Sequence, residues 1–426
     1  MEKLYHYLWQ TRLKGTHFHD VSGLEIEVID PGVHNQDSGP DFFNSKVKIQ
    51  GVEWVGNVEI HVKASDWYRH RHDNDDAYKN VILHVVAISD KRIVREDGSF
   101  IPQIEVILPE SFFRTMAELN VENDQVRCAR QLRDISGVNI TDWMETLFVE
   151  RMQQKAQRVL SLHSITGGDW EQTCFIMLAR GLGFGLNGEP FEMLAKSVPL
   201  KILHHHSDNL QQLEAILFGQ SAMLDPTLHM FDEYFQALCR EYYFLARKYN
   251  LKPMRPGLWK NSRTRPQNFP HRRIAYLAVT ALGGFSLFSR LLQVCRDGGN
   301  LHEVFDSRME GYWKTHFSFD TDARDISDEL SYSSKLLLAI NVAIPLIYAY
   351  SASTGDQETS ERVLGLMNDF PAENNVVTRQ WKNLGIEAKD AARSQSLLHL
   401  KKEYCEKNKC IYCRFGHLLL KQQTEN

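Results

Sequence analysis

Residues 43–49 and 52–63 constrain this chain more than any other stretch. They read as two strands joined at Gln50-Gly51, a turn composition between alternating runs. Along the second strand Val58, Ile60 and Val62 alternate with Asn57, Glu59, His61 and Lys63. A strand repeats every two residues, so one face is apolar and the other carries a carboxylate, an imidazole and an ammonium in a row. Pro40-Asp41 leads into the first strand, and a hairpin brings the Asp41 carboxylate toward that of Glu59. Two carboxylates and a basic group suit a hard divalent cation, Mg²⁺ or Mn²⁺, and the water it activates. In this reading Asp41 and Glu59 hold the ion, while His61 or Lys63 orients the water or stabilises charge.

The flanking segments supply a fold. Residues 3–13 show helical spacing, and 24–29 alternate as a strand that ends at the turn Asp30-Pro31-Gly32. A polar loop over 33–39 delivers the chain to Pro40. After the paired strands, a helical turn starts at Ser65 or Asp66. Residues 81–88 are apolar on both faces, as in a strand inside a sheet, and 100–108 contain one further strand. Helix, three strands, short helix, strand is the element order of the restriction-endonuclease-like core. Pro40-Asp41 with Glu59-Ile60-His61 resembles the PD-(D/E)xK nuclease signature, with His61 where the signature has lysine. That resemblance implies a metal-dependent nuclease, a hydrolase of phosphodiester bonds. The exchange at His61 keeps a second reading open, a non-catalytic nucleic-acid-binding or assembly protein that retained the fold.

From about residue 112 strand-like alternation stops. Apolar residues then recur at three- and four-residue spacing over 140–162, 170–183, 208–222, 228–249, 273–294, 331–352 and 386–405. Breakers such as Gly167-Gly168, Pro190 and Pro226 separate them, and no regular repeat is present. The expected fold class is α+β: a restriction-endonuclease-like mixed sheet with flanking helices over 1–112, then a large irregular all-α region over 113–426 ending in a Cys-rich tail.

Three further constellations carry chemistry. His61, His70, His72, Asp73, Asp75 and Asp76 crowd into sixteen residues. Either this is a solvated helix start, or His61, His70 and His72 build the metal site of a zinc-dependent hydrolase; in a nuclease, His70 and His72 would line the cleft. Between Lys252 and Arg273 the chain carries Arg255, Lys260, Arg263, Arg265, Arg272 and Arg273 but no Asp or Glu, with Trp259 and four prolines interleaved. Forked guanidinium donors on a proline-stiffened loop suit phosphate contact, and Trp259 suits base stacking; the competing reading is a loop that pins helices together. At the C-terminus Cys405, Cys410, Cys413 and His417 form C-x4-C-x2-C-x3-H, the spacing of a closed structural zinc site. An iron–sulfur cluster competes, with a fourth cysteine from Cys128, Cys174, Cys239 or Cys295.

A net charge of −5 over 426 residues gives no global nucleic-acid signal, so such a partner needs a local patch. Seven cysteines in this length do not make a disulfide scaffold. The first ten residues lack the basic and apolar regions of a secretory signal, and the apolar stretch 336–352 reads as a buried core helix. The expectation is a soluble, cytoplasmic protein without a membrane partner.

Several stretches together, Asn35-Gln-Asp-Ser-Gly-Pro-Asp-Phe, Gly56-Asn-Val-Glu-Ile-His, His70-Arg-His, Arg265-Pro-Gln-Asn-Phe-Pro and Ser394-Gln-Ser with the C-terminal cysteines, resemble a bacterial family of unknown function, DUF2851. The resemblance runs over nearly the whole chain and implies a shared architecture without implying an activity.

Overall fold

The computed structural model describes residues 2–11, 17–35, 38–95, 97–107, 126–229, 231–261, 265–323 and 326–422. The chain forms two compact units, Met1–Trp143 with Leu400–Asn426, and Met144–His399. The division therefore falls later than the expected boundary at 112/113, and the Cys-rich tail belongs to the first unit.

The first unit is built on a seven-stranded mixed sheet. Its strands are β1 (His17–His19), β2 (Glu25–Asp30), β3 (Val33–His34), β4 (Phe42–Ile49), β5 (Val52–Lys63), β6 (Val81–Ile88) and β7 (Gln103–Glu105). The order is β1-β2-β4-β5-β6-β7, with β3 paired to β4. β2, β4 and β5 are antiparallel neighbours, as the Gln50-Gly51 turn requires, and Gln50 and Gly51 both take positive φ (52° and 80°). β6 runs parallel to β5 and β7 parallel to β6. Parallel pairing needs a crossover, and residues 64–80 supply it through the short helix α2 (Asp66–Arg69).

One face of the sheet is closed by α1 (Glu2–Thr11). Leu4, Tyr5, Leu8 and Trp9 pack there with Val28, Phe42, Val58, Ile60, Leu83 and Val85, and the Trp9 indole N–H donates to the Pro31 carbonyl at 2.9 Å. Over the other face the crossover folds back, with Trp67, Tyr78, Val81, Ile93 and Ile101 in a smaller apolar cluster. This changes the reading of β5. Its first third, 52–55, is exposed, but 56–61 is buried on both sides, so the polar face that alternation predicts is covered.

Close packing of β5 against β6 gives a sharp prediction. A Cβ on Gly56 would lie 2.4 Å from Ile82 Cγ2 and 2.9 Å from the Asn80 carbonyl oxygen. Gly56→Ala should cost ~1–3 kcal/mol by overpacking, read as a lower midpoint in chemical denaturation of the first unit.

The second unit is helical. Helices Trp170–Leu182, Leu210–Gln220, Glu233–Tyr249 and Ile344–Thr354 match predicted segments, whereas the predicted 273–294 splits into Pro270–Ala281 and Leu287–Asp297. Gly283 and Gly284, both at positive φ, break it. The core centres on Phe218, Phe235, Tyr276, Trp313 and Phe319, with Phe218 and Trp313 stacked at 5.0 Å. Among the described residues one helix, Tyr332–Thr354, is long and apolar enough to cross a membrane; 67% of its most apolar window is buried inside the protein, as in a core helix.

Candidate metal centre

The covered face of β5 carries Glu59 and His61, only 5% and 1% exposed. A polar group buried this deeply needs partners, and a chain of side chains provides them. Gln103 on β7 donates its amide N–H to Ser89 Oγ at 2.6 Å, which leaves its Oε1 to accept from His84 Nδ1 at 3.2 Å. His84 on β6 then accepts at Nε2 from His61 Nδ1, 2.9 Å away. The donor order leaves the lone pair of His61 Nε2 facing the crossover. Metal-binding histidines are oriented in this way, by a hydrogen bond on the second ring nitrogen.

Two more imidazoles meet that lone pair. α2 ends at His70, and Arg71 in the left-handed region (φ 63°) turns the chain so that His72 follows it back over β5. His70 Nδ1 lies 3.2 Å from His61 Nε2, and the rings of His61 and His72 stack at 5.3 Å. One ligating atom from each of the three lies within 4.8 Å of the other two, so the group could hold a metal ion. Tyr78 stacks on His72 at 3.8 Å, and Trp67 meets it edge-on.

The carboxylates lie beside them. Glu59 Oε1 is 3.3 Å from His72 Nε2 and 3.5 Å from His61 Nε2. Glu59 Oε2 accepts from the Asp41 backbone N–H at 3.1 Å. Asp41 Oδ2 in turn accepts from the Ile60 N–H at 3.0 Å and lies 3.2 Å from His6 Nε2 on α1. The structure thus brings Asp41, Glu59, His61, His70 and His72 together. Its donors are mainly nitrogen, unlike the oxygen set assumed from Asp41 and Glu59 alone.

Electrostatics follow from burial. Desolvation first, and the Asp41 charge second, push the Glu59 carboxyl up to about 9. Burial, then the neighbouring His84, His72 and His70, depress His61 to about 2, and burial depresses His84 to about 4. His61 is therefore neutral, the form that ligates metal, and not a cationic substitute for lysine. These shifts have opposite signs in stability. The two histidines, lower in the folded state, contribute stability that is present above 6.5 and lost as pH falls through their folded values. Glu59, higher in the folded state, contributes stability that is full below 4.5 and lost as pH rises toward about 9. Metal-free protein should therefore lose stability from pH 7 toward 9, and a bound cation, which favours the carboxylate, should flatten that limb. Thermal midpoints with chelator and with metal, taken across this range, check it.

Other predicted residues lie elsewhere. Lys63 stands at the exposed end of β5, where its charge acts on Asp90. Arg255, Lys260 and Arg265 are exposed on the second unit, and Arg263 lies outside the described residues. Arg272 and Arg273 are 1% and 5% exposed, which corrects their assignment to phosphate contact. Arg272 Nη1 donates to the carbonyls of Trp313 at 2.6 Å and His316 at 3.2 Å, and Nη2 to that of Ser327; Arg273 donates to Asn268 Oδ1. Trp259 is likewise committed, its indole N–H donating to the Ser221 carbonyl at 2.8 Å and its ring meeting Phe191 edge-on. At the C-terminus, His417 Nδ1 is engaged by the Tyr7 hydroxyl of α1, while Cys405, Cys410 and Cys413 lie within electrostatic range of Cys128.

Sequence reasoning missed His6, Tyr78, His84 and Gln103. His84 left one trace: it is the single polar residue in Val81–Ile88, a strand otherwise apolar on both faces. A buried histidine there must have a partner, and the partner is His61.

The family model described as Protein of unknown function (DUF2851) matches residues 2–376. No curated protein and no solved structure matches the chain.

Proposed function

The chain belongs to the DUF2851 family, and since that membership assigns no chemistry, we propose from the site itself that the protein is a metal-dependent hydrolase of phosphodiester bonds. The observation that carries this reading is the convergence of three imidazoles whose ligating atoms lie within 4.8 Å of one another, two of them against the buried Glu59 carboxylate. Three protein nitrogens leave a coordination position for water, the arrangement of catalytic and not of closed structural sites. Nitrogen donors favour Zn²⁺ or a similar transition metal over Mg²⁺, which prefers oxygen. The bound cation would supply Lewis acidity, bringing the pKa of its water near ~7. Glu59, whose Oε1 lies 3.3 Å from His72 Nε2 and 3.5 Å from His61 Nε2, would serve as the general base that takes the water proton. Asp41 holds Glu59 in place through its backbone N–H and is itself held by Ile60 and His6.

What supports the phosphodiester class is the resemblance of the elements around Pro40-Asp41 and Glu59-Ile60-His61 to the PD-(D/E)xK nuclease signature, with His61 in place of its lysine. A cleft of about 250 Å³ opens beside His72, lined by the rings of Trp67 and Tyr78 and by Lys79 and Arg95 with Asp73, Asp75 and Asp97, which gives a substrate access to the site. The binding-protein alternative leaned on the basic loop, which loses Arg272 and Arg273 to the interior. To test the reading, chelator-treated protein is reloaded with Zn²⁺, Mn²⁺ or Mg²⁺ and given an aryl phosphodiester, single- and double-stranded DNA, and RNA. Hydrolysis restored by Zn²⁺ and abolished in His61→Ala is expected. Absence of diester hydrolysis with every cation, or unchanged turnover in His61→Ala, overturns it.

A further inference from the structure

We propose that Cys128, Cys405, Cys410 and Cys413 form a second metal centre, a four-thiolate site that fastens the C-terminal segment 400–422 to the first unit. The ligand is a thiolate-seeking metal, either Zn²⁺ alone or an iron–sulfur cluster, and His417 is not part of the set. None of the four is in a disulfide. Cys128, far away in sequence, lies within electrostatic range of the other three, and Cys405 within range of Cys410 and Cys413. The backbone around them is built for it. Cys410–Tyr412 forms a single 3-10 turn closed by the Cys413 N–H donating to the Cys410 carbonyl at 3.2 Å. That turn leads directly into helix Arg414–Gln422, so Cys413 stands at a helix N-terminus. The backbone N–H groups of Phe415 and Gly416 act on its sulfur, as fixed dipoles do on a thiolate. Gly416 is required, since a Cβ there would fall 2.0 Å from the Cys410 carbonyl oxygen.

A second observation points the same way. The Trp143 indole N–H is buried with no hydrogen-bond partner of ordinary geometry, and its influence falls on Cys413. A donor buried in this way is costly beside a neutral thiol and is favourable beside a thiolate. The same side chain packs edge-on against Tyr404, next to Cys405, and Arg414 pairs with Asp142 at 3.1 Å. On metal binding each sulfur releases its proton to solvent, and the cluster of like groups becomes a ligand set. His417 fits the expected C-x3-H spacing, but its Nδ1 meets the Tyr7 hydroxyl of α1, and the fourth ligand is assigned to Cys128, which lies near the other three cysteines.

Full-length protein, purified anaerobically without a histidine tag, is assayed for zinc, iron and acid-labile sulfide, and its sulfur coordination number is read by X-ray absorption at the metal edge. Four sulfur neighbours per metal in His61→Ala, which lacks the histidine-bound cation, one centre per chain lost on adding Cys128→Ser or Cys410→Ser, and retention on adding His417→Ala are expected. Zinc without sulfide assigns the mononuclear centre; iron with sulfide assigns the cluster. Three sulfurs per zinc in His61→Ala, or loss of the metal in His417→Ala with retention in Cys128→Ser, overturns the assignment, as does absence of sulfur-bound metal after reconstitution with either source. For a zinc centre the sulfur number in His61→Ala decides the matter even where a cysteine variant fails to fold; for a cluster, its loss or retention in His417→Ala decides it. The histidine-bound cation of the hydrolase site is read separately, since His61→Ala removes it without touching the sulfur shell.

Discussion

Glu59→Gln should lower phosphodiester turnover by ~10²–10⁴-fold while leaving the bound cation in place. The glutamine keeps the shape of the side chain, and its carbonyl oxygen can still accept from the Asp41 N–H. What it loses is the capacity to take a proton from water. The three imidazoles remain, so metal content should be unchanged. The same substitution imitates the protonated acid, the form that burial and Asp41 favour in metal-free protein. It should therefore remove the loss of stability between pH 7 and 9 that wild type shows with chelator. Turnover near the wild-type level would reject Glu59 as the base. Loss of metal with loss of activity would make it a fourth ligand instead.

Arg272→Ala should destabilise the second unit by ~3–5 kcal/mol, since three backbone carbonyls would lose a charged donor at ~1–3 kcal/mol each. Its guanidinium satisfies the carbonyls of Trp313, His316 and Ser327, which would otherwise be buried without donors. Trp313 is fully buried and stacks on Phe218, so loosening its backbone reaches the centre of the helical core. Arg265→Ala, on the exposed part of the same loop, should stay within ~0.5 kcal/mol of wild type. Denaturant unfolding followed by tryptophan fluorescence separates the two variants. If Arg272→Ala were as stable as wild type and instead weakened nucleic-acid binding, the arginine would belong to an interface after all.

The contrast between these arginines shows what a sequence can carry. A run of basic residues without acids looks the same whether its guanidinium groups meet phosphate or backbone carbonyls. Arg272 and Arg273 sit on the first turns of helix Pro270–Ala281, facing a core that only tertiary structure defines. The sheet was easier to read. Alternation and turn chemistry located β2, β4, β5 and β6 to within a residue or two, because period two and the Gln50-Gly51 turn are local properties. The site was half legible. Asp41 and Glu59 come together because adjacent antiparallel strands bring them there. His70 and His72 return to His61 only because Arg71 takes a left-handed turn, which no spacing rule announces. His84 comes to His61 through parallel pairing of strands separated by a crossover, a contact invisible without the strand order. Cys128 joins the C-terminal cysteines across most of the chain length, for the same reason.

The nearest test of the metal centre is the zinc-edge absorption spectrum of zinc-loaded protein, compared between wild type and His61→Ala. Nitrogen and oxygen neighbours scatter at ~2.0–2.1 Å and sulfur at ~2.3 Å, so the two proposed centres give separate shells. Wild type should show a light-atom shell with the multiple scattering of imidazole, and His61→Ala should lose that shell while any sulfur shell stays. An imidazole shell that survives His61→Ala unchanged would contradict the site built on His61, His70 and His72.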